Sequence, residues 1–225
     1  MTKPISIITH RDPRSPSAEA YRMLRTNLQF SSPDNPVHSL VVTSATPSEG
    51  KTTTSANVAV TFAQAGNKVL LVDGDLRKPS VNKIFGMANI AGLSNLIVSN
   101  ISPREVIQPC WVDNLYVLTS GPIPPNPAEL LGSKRSRQLF SLFEENFDMV
   151  IIDAPPVAAV GDALILSTMA SGTLLVIAYR EVEKDLAKRT VDQLRNVKAN
   201  LLGVVLNKVP EKGAGYFYYE YGSTN

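Results

Sequence analysis

The chain has a single cysteine, Cys110. That excludes an internal disulfide framework and any all-cysteine metal site, and it suits a reducing compartment such as the cytoplasm. Cys110 itself reads as a small, half-buried apolar residue. Long apolar runs are missing as well. The most apolar stretches, Val150–Ile152 and Leu174–Ala178, are strand-length, far short of the ~20 residues that span a bilayer. The opening residues, M-T-K-P-I-S, lack the apolar core of a secretory signal. Membrane association is therefore expected to come only through a partner. Charge of one sign is scarce too: 22 Lys and Arg against 20 Asp and Glu leave a formal +2. No electrostatic case exists for a dedicated nucleic-acid binder. What is abundant is apolar content, 44% of 225 residues, enough for the core of one α/β domain with or without a tail.

The most informative stretch is V-V-T-S-A-T-P-S-E-G-K-T-T-T, Val41 to Thr54. An apolar run, Leu40–Val42, stops at a turn rich in Ser, Thr and Pro. The turn ends in Gly50-Lys51-Thr52-Thr53 and leads into Ala56–Ala65, which reads as a helix. Strand, loop, Lys plus hydroxyl, then helix is the order a triphosphate-binding loop needs. Backbone N–H groups and the helix N-terminus face phosphates, Lys51 supplies a point charge, and Thr52 is placed to hold Mg²⁺. Ala45 replaces the usual first glycine of G-x-x-x-x-G-K-[ST]. The competing reading is an ordinary Ser/Thr-rich turn with Lys51 in solvent.

Along the chain, residues 1–16 contain three prolines and read as an extended arm. Ser17 is the expected N-cap of a helix in which Tyr21, Leu24 and Leu28 recur at helical spacing. Glu19, Arg22 and Arg25 lie along one flank of it, either as a solvated face with an internal pair or as an edge that meets another subunit. Lys68–Val72 is a buried strand ending in Asp73-Gly74-Asp75-Leu76-Arg77-Lys78-Pro79. Two acids directly after such a strand suit the mouth of a divalent-cation site better than a core. Weak amphipathic segments follow near Val81–Phe85, Leu93–Val98 and Arg104–Val106, then a strand at Asn114–Leu118. The Pro-rich loop Thr119–Pro127 is expected to cross the ligand edge of the sheet. Helices are expected over Ala128–Leu131 and Ser136–Asn146. A strand over Asp148–Ile152 ends in Asp153-Ala154-Pro155-Pro156, an acid placed as in phosphate-loop hydrolases and transferases. A helix at Gly161–Ala170, a strand at Thr173–Ala178, a helix at Glu183–Lys198 and a strand at Leu201–Leu206 complete the alternation, which Asn207 closes.

Such alternation predicts a mostly parallel, doubly wound P-loop sheet with helices on both faces. Ligands then bind beyond the carboxyl ends of the strands, where the phosphate loop, Asp73, Asp75, Asp153 and Asn207 should converge. The end of the chain differs. Tyr216, Phe217, Tyr218, Tyr219, Glu220 and Tyr221 carry four of the seven tyrosines and read as an edge strand or as a flexible, phenol-bearing tail.

Together these residues resemble the bacterial tyrosine kinases of capsule and exopolysaccharide synthesis, over essentially the whole chain. A-T-P-S-E-G-K-T-T looks like that family's modified Walker A loop, V-L-L-V-D-G-D-L-R-K-P like its additional acidic motif, and V-I-I-D-A-P-P like its Walker B. The loop G-P-I-P-P-N-P-A-E-L-L is typical of the family, and E-A-Y-R-M-L-R resembles its E-x-x-R-x-x-R oligomerisation motif. Partitioning and division-site ATPases, the alternative family, carry a lysine where this chain has Thr46, and a hydroxyl cannot supply that charge. The resemblance divides the chain into an arm (1–16), a P-loop kinase domain (17–209) and a tyrosine-cluster tail (210–225).

It implies an ATP- and Mg²⁺-dependent protein-tyrosine kinase that phosphorylates its own Tyr216, Tyr218, Tyr219 and Tyr221 in trans. Lys51, Asp73, Asp75 and Asp153 are its expected catalytic residues. Ser48, Glu49, Gly50, Lys51, Thr52, Thr53 and Asn207 are expected at ATP, with Asn207 at adenine. Thr52, Asp73, Asp75 and Asp153 are expected at or near the metal. A ring of subunits held through Glu19, Arg22 and Arg25 is implied, as are a membrane adaptor whose cytoplasmic tail activates the kinase at the inner face of the plasma membrane, and a cognate phosphotyrosine phosphatase.

Overall fold

The computed structural model describes residues 7–32 and 35–210. The chain runs α1 (Ile8–Arg11), α2 (Pro16–Phe30), β1 (Ser39–Ser44), α3 (Lys51–Gln64), β2 (Val69–Asp73), α4 (Val81–Phe85), α5 (Leu93–Val98), α6 (Pro103–Val106), β3 (Gln108–Pro109), β4 (Leu115–Leu118), α7 (Pro127–Leu131), α8 (Lys134–Asn146), β5 (Met149–Asp153), α9 (Asp162–Ser167), β6 (Gly172–Ala178), α10 (Lys184–Asn196) and β7 (Leu201–Asn207). Among the described residues, seven strands form one sheet in the order β3-β4-β2-β5-β1-β6-β7. All neighbours are parallel except β3 on β4. This is the mostly parallel, doubly wound α/β sheet that the alternation implied.

Both faces of the sheet are covered, which is why its central strands are continuous apolar runs. Within β1 the two faces still alternate. Leu40 and Val42 join a cluster with Phe62 of α3, whereas Val41 joins one with Phe140, Phe143 and Leu166 on the far side. Helix α3 meets the sheet through Ala56, Ala59 and Ala63, all buried, and these small side chains let it lie close to β1 and β2. Fully burying a Leu, Ile or Phe contributes roughly 1.5–3 kcal/mol, so these two layers hold the frame of the site.

Register then places the functional side chains. Val42 of β1 pairs with Asp153 of β5, and Asp153 pairs with Asp73 of β2. On the other side of β1, Ala178 of β6 pairs with Asn207 of β7. The strand ends therefore deliver Asp73, Asp153 and Asn207 to the rim from which the Ala45–Gly50 loop departs.

Several expectations need correction. Residues 7–16 are not an extended arm: they contain α1 and the first residue of α2. Thr9 is buried, and its N–H and hydroxyl both donate to Asn57 Oδ1, at 3.1 and 2.9 Å. The His10 ring packs edge-on against Trp111 with centroids 4.5 Å apart. The N-cap of α2 is Ser15, whose Oγ accepts from Ala18 N at 3.2 Å, with Pro16 at the first helical position. Helix α3 starts at Lys51 rather than Ala56. The intervening Thr52-Thr53-Thr54 run has poor intrinsic helix propensity, but tertiary placement overrides it. The Pro-rich segment leaves the carboxyl end of β4, which is parallel to β2, and the Thr119 and Ser120 carbonyls accept from Leu93 N and Ser94 N at 2.8 and 2.9 Å. A Cβ at Gly92 would stand 2.1 Å from the Thr119 carbonyl, so glycine is required where the two segments touch. Strand β3 had no signal in the sequence, being two residues long with Pro109 at the antiparallel edge.

Candidate functional site

The phosphate loop is fixed from behind. Ser48 and Gly50 both adopt positive φ, 68° and 95°, which turns successive N–H groups toward one side. Gly50 is the N-cap of α3, and a Cβ there would sit 2.1 Å from Asn207 Nδ2. That amide donates to the Glu49 carbonyl at 2.8 Å. The Glu49 carboxylate points inward and is only 1% exposed. Its Oε1 accepts from Thr46 N and from Thr46 Oγ1 (3.0 Å), and its Oε2 accepts from Ala178 N at 2.9 Å. Glu49 and Asn207 thus staple the loop to the ends of β6 and β7. Only the backbone of Glu49 is left to meet a ligand, and Thr46 is committed to Glu49.

The charged centre lies at the start of α3. Lys51 Nζ stands 3.2 Å from Asp75 Oδ2 and 3.4 Å from Asp153 Oδ2. Thr52 Oγ1 donates to Asp153 Oδ2 at 2.7 Å, and Ser55 Oγ donates to Asp153 Oδ1 at 3.1 Å. Ser80 Oγ lies 3.1 Å from Thr52 Oγ1. Burial alone would lower the Lys51 ammonium, but Asp153 and Asp75 outweigh it and leave its pKa raised; Lys51 is a cation. Burial also lifts Asp153 above the usual carboxylate range, against the opposing pull of Lys51, Thr52 and Ser55.

The two acids after β2 part company. Asp73 turns back into the protein: its Oδ2 accepts from Ser80 N and Val81 N, both at 3.0 Å, and its Oδ1 from Asp75 N at 3.3 Å. Burial, reinforced by the neighbouring Asp153, pushes its pKa up to about 7, although the Val81 and Ser80 amides pull the other way. Asp75 lines an open cavity of ≈ 560 Å³, together with Ser48, Gly50, Lys51, Thr52, Thr53 and Ser80. That volume is in the range of small-molecule sites. Among the described residues, no three His, Cys, Asp or Glu side chains form a ready metal cage. Mg²⁺ does not need one, because it is commonly held by one or two carboxylates, a hydroxyl and substrate phosphates. Thr52, Asp75 and Asp153 fit that donor set.

Ser55, Ser80 and Asp162 were missed in the sequence. Ser55 sits one helical turn beyond Lys51, so i, i+4 spacing could have found it. Asp162 had no sequence signal. It is fully buried at the start of α9 and takes the guanidinium of Arg77 on both oxygens, at 2.8 and 3.0 Å. Pro155, Pro156, Ala159 and Val160 line the same cavity.

Two other sets of expected residues lie elsewhere. On α2, Glu19 pairs with Arg22 at 2.9 Å, the Arg22 guanidinium also donates to the Pro13 carbonyl, and Arg25 donates to the Thr61 carbonyl of α3 at 3.1 Å. Within one chain this flank is internally bonded. Tyr216, Tyr218, Tyr219 and Tyr221 lie outside the described residues.

A parallel sheet with a lysine-bearing loop capping the helix after β1 defines a P-loop nucleotide-binding protein. The ParA family model, described as "NUBPL iron-transfer P-loop NTPase", matches residues 35–210. The tyrosine-protein kinase YwqD of Bacillus subtilis (strain 168) is 46% identical over 215 residues, 95% of this chain and 91% of the relative. The kinase domain of the Escherichia coli tyrosine kinase ETK has a TM-score of 0.88 at 33% identity, covering 100% of this chain and 85% of that one. The chimerical protein CapA2B2 has a TM-score of 0.87 at 43% identity, covering 91% and 90%. The chain belongs to the bacterial tyrosine-protein kinases.

Proposed function

We propose that the cavity transfers the γ-phosphoryl group of ATP to tyrosine hydroxyls, including those of Tyr216, Tyr218, Tyr219 and Tyr221. The observation that carries this reading is a lysine cation held between two carboxylates at the mouth of a nucleotide-sized cavity, with a threonine hydroxyl on one of them. Phosphoryl transfer passes through a charge-rich, loosely bonded transition state, so the protein's task is positioning and charge neutralisation. Lys51 supplies the cation for the β- and γ-phosphates, and the N–H groups from Ser48 to Thr53 hold their oxygens. Thr52 and Asp153 would hold Mg²⁺, which when bound would neutralise phosphate charge. Asp73 acts behind them by fixing the Ser80–Val81 turn. A phenol titrates near pH ~10, so at neutral pH it needs a base. Asp75 is the better-placed group, since it lines the cavity and Asp73 does not; its oxygens accept from Lys78 N and Lys51 Nζ, and Lys51 turns to phosphate when nucleotide binds. Asn207, which secures Gly50, is the residue proposed near adenine.

By family resemblance the kinase acts in capsule or exopolysaccharide synthesis and export. It would be activated at the inner face of the membrane by an adaptor's cytoplasmic tail and reversed by a phosphotyrosine phosphatase. No helix among the described residues is long and apolar enough to cross a membrane, which fits recruitment through such a partner. The stretch from Asn207 to Tyr216 spans at most ~30 Å when extended, so reach permits transfer in cis or in trans. We favour trans transfer in a ring held through Glu19, Arg22 and Arg25. Each phosphate adds about −1.5 to −2 charges, so extensive phosphorylation is expected to loosen the ring. An unchanged mass by light scattering after ATP would count against that.

The competing reading, a nucleotide-driven switch without transfer, is opposed by Thr46, which is bonded to Glu49 where partitioning relatives place a lysine. Labelled ATP and Mg²⁺, with the adaptor fragment added, separate the two. Phosphotyrosine within Tyr216–Tyr221 supports the kinase, whereas phosphate release alone supports the switch. Lys51→Met is expected to abolish the label, and a labelled Lys51→Met protein would refute the assignment.

A further inference from the structure

The cavity is lined by two chemically unlike sets of residues. One carries Ser48, Gly50, Lys51, Thr52, Thr53, Asp75 and Ser80, and supplies the N–H groups, hydroxyls and charges that phosphates and a cation need. The other is Pro155, Pro156, Ala159 and Val160, which offers a phosphate nothing. The segment that carries this apolar set is tied to the end of β1 and the start of the phosphate loop. The Pro155 carbonyl accepts from Thr43 Oγ1 at 2.7 Å, Val157 N donates to the Ser44 carbonyl at 2.9 Å, and Ala158 N donates to the Ala45 carbonyl at 3.1 Å. It follows directly on Asp153, whose carboxylate lies 3.4 Å from Lys51 Nζ. Asn207 reaches the loop from the β7 end and does not line the cavity.

Two cations edge the same space. Lys78 and Arg77 both line it, and the Arg77 guanidinium is anchored on both oxygens of buried Asp162 while its side chain stays 40% exposed. A fixed fork of this kind loses little entropy on binding a further carboxylate. Apolar residues beside a guanidinium held in place by Asp162, with Lys78 next to it, suit an aromatic side chain in an acidic peptide.

We propose that Pro155–Val160 is the acceptor subsite, on which the phenol ring of the substrate tyrosine packs, and that Arg77 takes the carboxylate of an acidic residue beside it. Tyr219-Glu220-Tyr221 of a second copy of this chain has that chemistry. The proposal rests on the kinase reading given above. With the ring packed there, the phenol oxygen bonds to the γ-phosphorus and the bond from that phosphorus to the β–γ bridging oxygen breaks. The electron pair leaves on ADP, and the phenol proton passes to Asp75 and then to solvent.

The test uses the full chain, labelled ATP, Mg²⁺ and synthetic peptides spanning residues 214–225. Val160→Asp, and Ala159→Asp at the more exposed position, each place a carboxylate against the ring. The KM for peptide is expected to rise about 10-fold or more, while the dissociation constant for a fluorescent ATP analogue stays within about twofold. Arg77→Ala is expected to raise the KM for the native peptide by about 10-fold and to change it little for a peptide with Glu220→Ala. Nucleotide binding doubles as the check that each variant is folded. An unchanged peptide KM in both the Val160 and Ala159 variants, with transfer by the wild type intact, overturns the subsite alone. Loss of nucleotide affinity in step with peptide KM also overturns it, because those residues would then hold nucleotide. Absence of any tyrosine transfer by the wild type overturns the kinase reading and the subsite together.

Discussion

The charges at the phosphate-loop rim and those along α2 are arranged by opposite rules. At the rim, Lys51, Asp75 and Asp153 are nearly or fully buried and each depends on the others. On α2, the Glu19–Arg22 pair is half-exposed, at 47% and 31% of the side chains, and is screened by water. Buried ions that lose a partner are strongly destabilising, whereas exposed pairs contribute a few tenths of a kcal/mol. A sequence motif of charges therefore says little about energy until burial is known.

The contrast can be broken most severely at Lys51. Lys51→Met is expected to lower phosphoryl transfer by about 10³-fold or more and to destabilise the ligand-free protein by about 3 kcal/mol. Two buried carboxylates would then face each other without a cation. Urea melts at neutral pH measure the second effect, and an unshifted midpoint would mean the rim is wetter than described. Glu49→Ala comes next. It strands the Thr46 and Ala178 N–H groups, at an expected cost of about 2 kcal/mol, and it should weaken nucleotide binding by freeing the loop. If nucleotide affinity stayed at the wild-type value, Glu49 would not be what positions the loop.

Arg25→Ala sharpens the other side. Its bond to the Thr61 carbonyl lies among the last carbonyls of α3, and losing it should cost about 1 kcal/mol. Glu19→Gln is the smallest change, a few tenths of a kcal/mol in the single chain. A fall in particle mass by light scattering, with the melt unchanged, would show that Glu19 serves contacts between subunits. Equal mass and an equal melt would leave it as a solvated surface pair.

Much of this site was legible because it is local. Gly50, Lys51 and Thr52 are consecutive, and each acid follows directly on an apolar strand, so a linear reading reached Asp73, Asp75 and Asp153. The fold class was equally accessible, since buried parallel strands alternating with amphipathic segments admit few arrangements. Illegible were the side chains whose partners are far away in sequence. Glu49 looked like a loop residue facing ligand, yet it is buried against Ala178, 129 positions on. Asp162 was one charge in a helix until Arg77, 85 positions earlier, closed on it. Asp73 and Asp75 looked equivalent and are not.

The sequence by itself determined the strand–loop–helix grammar of the phosphate loop, the acidic strand ends and the layered α/β class, because apolar periodicity and short-range spacing are properties of the chain. Tertiary structure alone decided the strand order, the inward turn of Glu49, the division of labour between Asp73 and Asp75, the clamping of Arg77 and the apolar residues that share a cavity with Lys51. Each of those depends on which distant backbone or charge arrives at the same point, and a buried polar group takes the role its partner leaves open.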